Sequence, residues 1–435
     1  MKTKTKSSIL LSILLLGTAI GFLALTVGIV YANETITVSP SGGDDTANLQ
    51  AAFDAAIAAG PGSTVQLTEG QFYSNEVFIY NFYGTFKGMG KDTVIDVLRG
   101  FDPGAPGVAG LGGEPPHIFN FIGGDVYITD MSFDITPFET AEPWDVGFTD
   151  LLSPILIAGE INSRVENVKV TGHDGTAGYP DWHPLFGVKA YNVRAGVILG
   201  SALSSCIGTH TITNCEFDSL WLGISAYMWM SSEIKIKHNT IKGGAIGIIN
   251  ADNINSNFEI SHNYIEANAY AGIWVMQFAP FACQWLIRHN TIKPTILADG
   301  ISLQDFTAGS LKGVVSHNKI ELDTFWGGIW TSDVSNAFIS NNIVRGTGDY
   351  GIVCAFANNN MLLGNNVQNV DASWASIVLL YSSECVVVGG STKKNVLDIA
   401  GFNNIIVGMN NMQSNSPGPE IQEAMELKRE LIRCF

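Results

Sequence analysis

Apolar residues recur along the chain in two short alternating lines that repeat together. One line reads Ile236-Lys237-His238-Asn239-Thr240-Ile241. It returns as Ile260-Ser261-His262-Asn263-Tyr264-Ile265, Ile287-Arg288-His289-Asn290-Thr291-Ile292, Val315-Ser316-His317-Asn318-Lys319-Ile320 and Ile339-Ser340-Asn341-Asn342-Ile343-Val344. Its Asn falls at 239, 263, 290, 318, 342 and 366, in steps of 24, 27, 28, 24 and 24 residues. The second line opens on Gly-Ile, at Gly223, Gly247, Gly272, Gly300, Gly328 and Gly351. Alternation with a period of two predicts strands, and a fixed recurrence of such lines predicts a solenoid. Each period is then one coil of a parallel β-helix. The Ile and Val positions point inward, and one coil buries its apolar face only by stacking on the next, about 4.8 Å away. The Asn position predicts a tight turn in the left-handed conformation, with stacked Asn side chains bonded to one another along the axis.

The pattern weakens toward both ends. Met1 to Ala32 carries three lysines ahead of an apolar run from Ile9 to Val30, which predicts either a signal peptide cleaved after Ala32 or a retained membrane anchor. A helix is expected over residues 45–59, with Leu49, Ala52, Phe53, Ala56 and Ile57 on one face and Gly60-Pro61-Gly62 ending it. Placed ahead of the first coil, it would cover the open end of the stack. Residues 413–419 read as a linker and 420–435 as an amphipathic C-terminal helix, leaving 36–412 for the solenoid. The lines around Met131, Val168 and Cys215 are spaced by 37 and 47 residues, wider than one coil. Two long loops, near 136–153 and 172–197, take up the excess, and long loops tend to be functional.

The segment Leu49-Gln50-Ala51-Ala52-Phe53-Asp54-Ala55-Ala56, followed by Gly62-Ser63-Thr64-Val65-Gln66-Leu67 and by Lys87-Gly88-Met89-Gly90, resembles the N-terminal segment of pectin-lyase-like right-handed β-helix proteins. With the repeats, the resemblance spans nearly all of 36–412. It implies an all-β solenoid, a single-stranded right-handed parallel β-helix of roughly 11–12 coils with a short N-terminal capping helix and a C-terminal helix. It implies no single activity, because that fold hosts lyases, hydrolases, epimerases and scaffolds. The Asn-Thr-Asp, Asp-Asp, Gly-His-Gly and Arg-Ile-Lys signatures of polygalacturonase-like members are incomplete here, so no catalytic residue is carried over from the family.

Charge narrows the partners. The net charge of −17 argues against nucleic acid, fits a neutral-sugar or cation-binding surface, and fits a polyuronate poorly unless a bound cation screens the repulsion. The six cysteines show no metal-ligand spacing. Cys206 and Cys215 are close enough to bridge; otherwise buried free thiols are expected. Three groups could carry chemistry. The loops hold Trp144 and Asp145, then His173, Asp174, Tyr179, Asp181, Trp182 and His183. Paired carboxylates and imidazoles can divide acid and base roles in glycoside cleavage, and flat aromatic faces suit sugar rings. On the stack, Trp274 and Trp330 should face outward, with Asp305 and Asp333 one coil apart, close enough to act as a pair or to share Ca2+. The His238, His262, His289 and His317 column reads as stacked turn residues, and no metal site is assigned. Beyond Ca2+, the sequence names no cofactor. The sequence thus predicts an exported protein, secreted or anchored at the cell surface through residues 9–30. It binds, or binds and cleaves, a polysaccharide or cell-envelope glycan; as an enzyme it would be a polysaccharide lyase or glycoside hydrolase. The alternative is a non-catalytic adhesive scaffold. Oligomeric state is left open.

Overall fold

The computed structural model describes residues 33–97, 117–136, 153–172, 195–200, 205–227, 231–251, 255–277, 283–307, 311–369, 375–408 and 412–414. Every strand pairing there is parallel and joins one coil to the next. Three columns of strands result, and each coil contributes to them in turn. Column A carries the line before the Asn, column B the line after it, and column C the Gly-Ile line. Within column A one unbroken inward row runs Ile36, Val65, Phe86, Ile128, Val165, Ile212, Ile236, Ile260, Ile287, Val315, Ile339, Leu362, Val387 and Ile406. Columns B and C supply matching rows, such as Ile241, Ile265, Ile292 and Ile320, and Ile248, Ile273, Ile301 and Ile329. The rows meet along the axis in one continuous apolar core.

The A–B corner corrects the sequence reading by one residue. The left-handed conformation belongs to the residue before the Asn: His238, His262, His289 and His317 have φ of 57°, 59°, 55° and 56°. That leaves the Asn turned inward and buried. The Oδ1 of Asn263 accepts from the backbone N–H and the Nδ2 of Asn239, both at 3.0 Å, and Nδ2 of Asn239 also donates to the carbonyl of Ile212. The same triplet repeats through Asn290, Asn318 and Asn342. Its last rung is Asn365, not Asn366, which instead opens the next strand of column B. Buried amides that bond both backbone and neighbouring amides leave the corner fully satisfied, as a buried polar row must be.

Helix α1, Thr46–Ala59, lies across the first coils. Asp45 does not cap it with its side chain. Its carboxylate accepts instead from the N–H groups of Ser41 and Tyr73, which ties the helix start to the first coils. Gln50 clasps the backbone of Phe78 from both sides. Phe53 drops into the end of the stack, its ring 5.1–6.1 Å from those of Phe82, Phe86, Phe119 and Phe121. The expected linker begins inside the stack, because Met412–Ser414 still pairs in column C. The apolar run Ile9–Val30 and the expected C-terminal helix lie outside the described residues.

Candidate functional site

Column C differs from the other two. Its strands are buried on both sides, as in Tyr350–Ala355 and Ala375–Leu380. The outward positions form two apolar clusters separate from the core. The first gathers Leu156, Ile198, Ile249, Trp274 and Met276; the second gathers Trp330, Tyr350, Val353, Val378 and Leu397. Trp274 and Trp330 therefore point outward as expected but are covered, at 3% and 5% exposure.

Between the clusters one coil is polar. Ser302 sits in register with Trp274 on one side and Trp330 on the other. Two strand spacings put the indoles about 10 Å apart across it. Tyr270 stacks on Trp274 at 5.4 Å, and Tyr350 lies 5.6 Å from Trp330. Asp299 is fully buried, accepting from the Tyr350 hydroxyl and from the N–H of Gly327 at 3.3 Å. Loss of water, then the Asp299 charge, pushes the Tyr350 phenol well above its usual pKa, so it stays a donor. Gln304 donates through Nε2 to Ser302 Oγ at 3.1 Å. Its Oε1 is buried and has no hydrogen-bond partner. Sequence reasoning missed Asp299 with Tyr350 and missed Ser302, although alternation after the Gly-Ile line already turns Gln304 outward. The signal was the replacement of apolar outward residues by Asp, Ser and Gln in a single coil.

Asp305 and Asp333 follow Gln304 and Ser332, which are paired in register, so the two carboxylates do fall on adjacent coils. Each is engaged locally. Asp305 Oδ1 accepts from the N–H and hydroxyl of Thr307, and Asp333 Oδ2 from Ser332. Among the described residues no group of three or more His, Cys, Asp or Glu is placed to hold a metal ion. Trp144, Asp145, His173, Asp174, Tyr179, Asp181, Trp182 and His183 lie outside the described residues.

Two other polar groups are withdrawn from solvent, the first buried and the second half-buried. Cys206 and Cys215 are separate free thiols, so the bridge between them does not form. Around Cys206, His210 takes Ser163 Oγ at 2.8 Å on Nδ1 and the thiol at 3.3 Å on Nε2. Burial lowers the imidazole to about 4 and raises the thiol to about 12, so both are neutral and the pair is no nucleophile. Glu76 is the second. Burial raises it to about 7, against a hydrogen bond from the backbone of His117. A carboxyl raised in the folded state gives stability that is present at acid pH and lost as pH rises from about 4.5 to about 7. Glu76→Gln should therefore match the parent near pH 4 and melt higher at pH 8. Thermal unfolding at both pH values checks this, and an equal difference at the two would refute it.

A family described as the right-handed β-helix region matches residues 152–321. No curated protein matches the chain. Among solved structures, the chain is similar to the mannuronan C-5 epimerase AlgE6 A-module of Azotobacter vinelandii, at 13% identity, covering 86% of this chain and 96% of that one, with a TM-score of 0.49. It is similar to a mutant of the periplasmic alginate epimerase AlgG, at 12% identity, 82% and 86% coverage and a TM-score of 0.49. It is also similar to PfbA, a surface adhesin of Streptococcus pneumoniae, at 12% identity, 88% and 93% coverage and a TM-score of 0.46. The parallel register, the buried Asn row and the family match together make this chain a right-handed parallel β-helix protein.

Proposed function

We propose that this is an exported glycan-binding protein, with the polar notch of column C as its binding site. The observation that supports this most is the pair of tryptophans flanking Ser302 in register, with the unpartnered Gln304 Oε1 on the same face. Indole faces pack well against sugar rings, and a buried acceptor without a donor suits a sugar hydroxyl. Ligand sites bury most of their ligand among apolar walls and a few placed polar groups. No Lys or Arg occurs in the column C strands from Ala195–Leu199 to Val396–Ile399. A neutral glycan fits that setting, and an acidic one does not.

Gln304→Leu separates binding from folding. Leucine removes an unsatisfied acceptor but also the donor to Ser302 Oγ, so the two effects oppose and the melting temperature should change little, while affinity for the glycan falls about tenfold, the worth of one hydrogen bond made in a buried site. The measurement is a glycan-panel screen of the parent, followed by titration of the variant. Product assays with and without calcium, on the same panel, decide whether cleavage accompanies binding. Absence of any bound glycan would overturn the proposal and leave the scaffold reading. Loss of stability in Gln304→Leu would make Gln304 a structural residue.

A further inference from the structure

The left-handed corner between columns A and B makes one demand, tolerance of positive φ. Asn and Gly meet it at most coils. Asn167, Asn214 and Asn341 hold φ of 53°, 55° and 53°, and Gly364 and Gly389 hold 63° and 61°. Four consecutive coils between them use His instead. Turn geometry does not call for imidazole, since Asn serves immediately before and after. All four rings are exposed and stacked in one row, with centroids 5.0, 5.0 and 5.1 Å apart and planes within 22–26° of one another. The row is about 15 Å long and lies along the axis.

The surrounding groups leave a small positive excess while the rings are neutral, six Lys and Arg against four Glu. Before the turn, Glu259 is shared by Lys237 at 2.6 Å and Arg288 at 2.9 Å, and Lys235 pairs with Glu233. After it, Glu321 is shared by Lys319 and Arg345, and Lys293 lies over the ring of Tyr264, which bonds Glu266. Loss of water, then the neighbours His238 and His289 and the charges of Arg288 and Lys237, hold the His262 imidazole below its usual pKa. Acid would add to this mildly basic corner a line of like positive charge at one-coil spacing.

We propose that the row His238, His262, His289 and His317 is an acid-switched docking edge for a linear acidic polysaccharide. A straight row of cations at a regular repeat suits a straight polymer with a carboxylate on each sugar. The carboxylates elsewhere on this acidic chain are screened at moderate salt, beyond about 10 Å. A divalent transition metal is the lesser fit. Adjacent stacked rings offer two nitrogens, and no group of three or more His, Cys, Asp or Glu is placed to hold a metal among the described residues. The site faces away from the column C notch and stands independently of it.

The test is binding of polygalacturonate to the full chain near pH 5, 6 and 8 in about 0.1 M salt, with and without zinc. The parent should bind at least about tenfold more tightly at pH 5 than at pH 8, and less tightly as salt is raised. The variant H238N/H262N/H289N/H317N keeps a residue that already occupies this turn, and should lose the pH dependence while its melting temperature shows that it folds. Should it not fold, H262N alone is expected to weaken binding at pH 5 about twofold to threefold. Binding that is absent, equal at pH 5 and 8, unchanged in these variants, or seen only with zinc at pH 8 overturns the proposal.

Discussion

Asn290→Ala should cost about 3–5 kcal/mol of stability, among the largest losses any single side chain here can produce. Asn290 is 1% exposed. Its Oδ1 receives both the backbone N–H and the Nδ2 of Asn263, and its own Nδ2 donates to the carbonyl of Ile260 and to Oδ1 of Asn318. Alanine leaves two donors of Asn263 and the carbonyl of Ile260 buried without this partner. Each such group costs about 1–3 kcal/mol, and relaxation shares part of the cost between them. Asn290→Asp should do no better, because a carboxylate would set oxygen against the Ile260 carbonyl and the Asn318 oxygen. The preceding residue is the control: His289→Asn changes an exposed ring at a turn Asn already tolerates and should cost under about 1 kcal/mol. Urea unfolding of the three variants decides the matter. A loss at position 290 no greater than at 289 would mean that the amide row does not hold the coils together.

Phe53→Ala should cost a comparable 3–5 kcal/mol. Its ring is the point at which helix α1 enters the stack, packed edge-on against Phe82, Phe86 and Phe121. A truncated side chain leaves a cavity bounded by four other phenylalanines, which are fixed by strand register and cannot collapse inward. The helix also loses its principal anchor, so the variant should bind an apolar dye before the main unfolding transition. Thermal unfolding followed by dye fluorescence reports both effects. A single unshifted transition without added dye binding would show that the other contacts of α1, among them Leu49 and Ala56, suffice to seat it.

The stack was legible because its rule is local and repeated. Inward Ile and Val at a fixed spacing admit few other arrangements, so the rows of columns A and B follow the printed lines. The corner was misread by one residue because Asn tolerates positive φ and was the obvious occupant. The chain assigns that conformation to His238 and its counterparts, and uses Asn239 for hydrogen bonding. Column C was misread for a different reason. Alternation was taken to put Trp274 and Trp330 in the open, but Ile246-Gly247-Ile248-Ile249 and Ile377-Val378-Leu379-Leu380 are runs without alternation. Parallel strands covered on both faces read as such continuous apolar runs. The notch escaped notice because Ser302 and Asp299 matter through their neighbours in adjoining coils, and not through any motif of their own.

The amide row links residues 24, 27, 28, 24 and 23 positions apart, yet its side-chain bonds stay at 3.0 Å throughout. Differences in circumference are taken up elsewhere, as where the register slips between Ala267 and Ala269. A spine that ignores the length of the excursion between its vertebrae can accept grafted segments at the remaining corners. New recognition loops could thus be exchanged on this chain without resetting the register of the coils beside them.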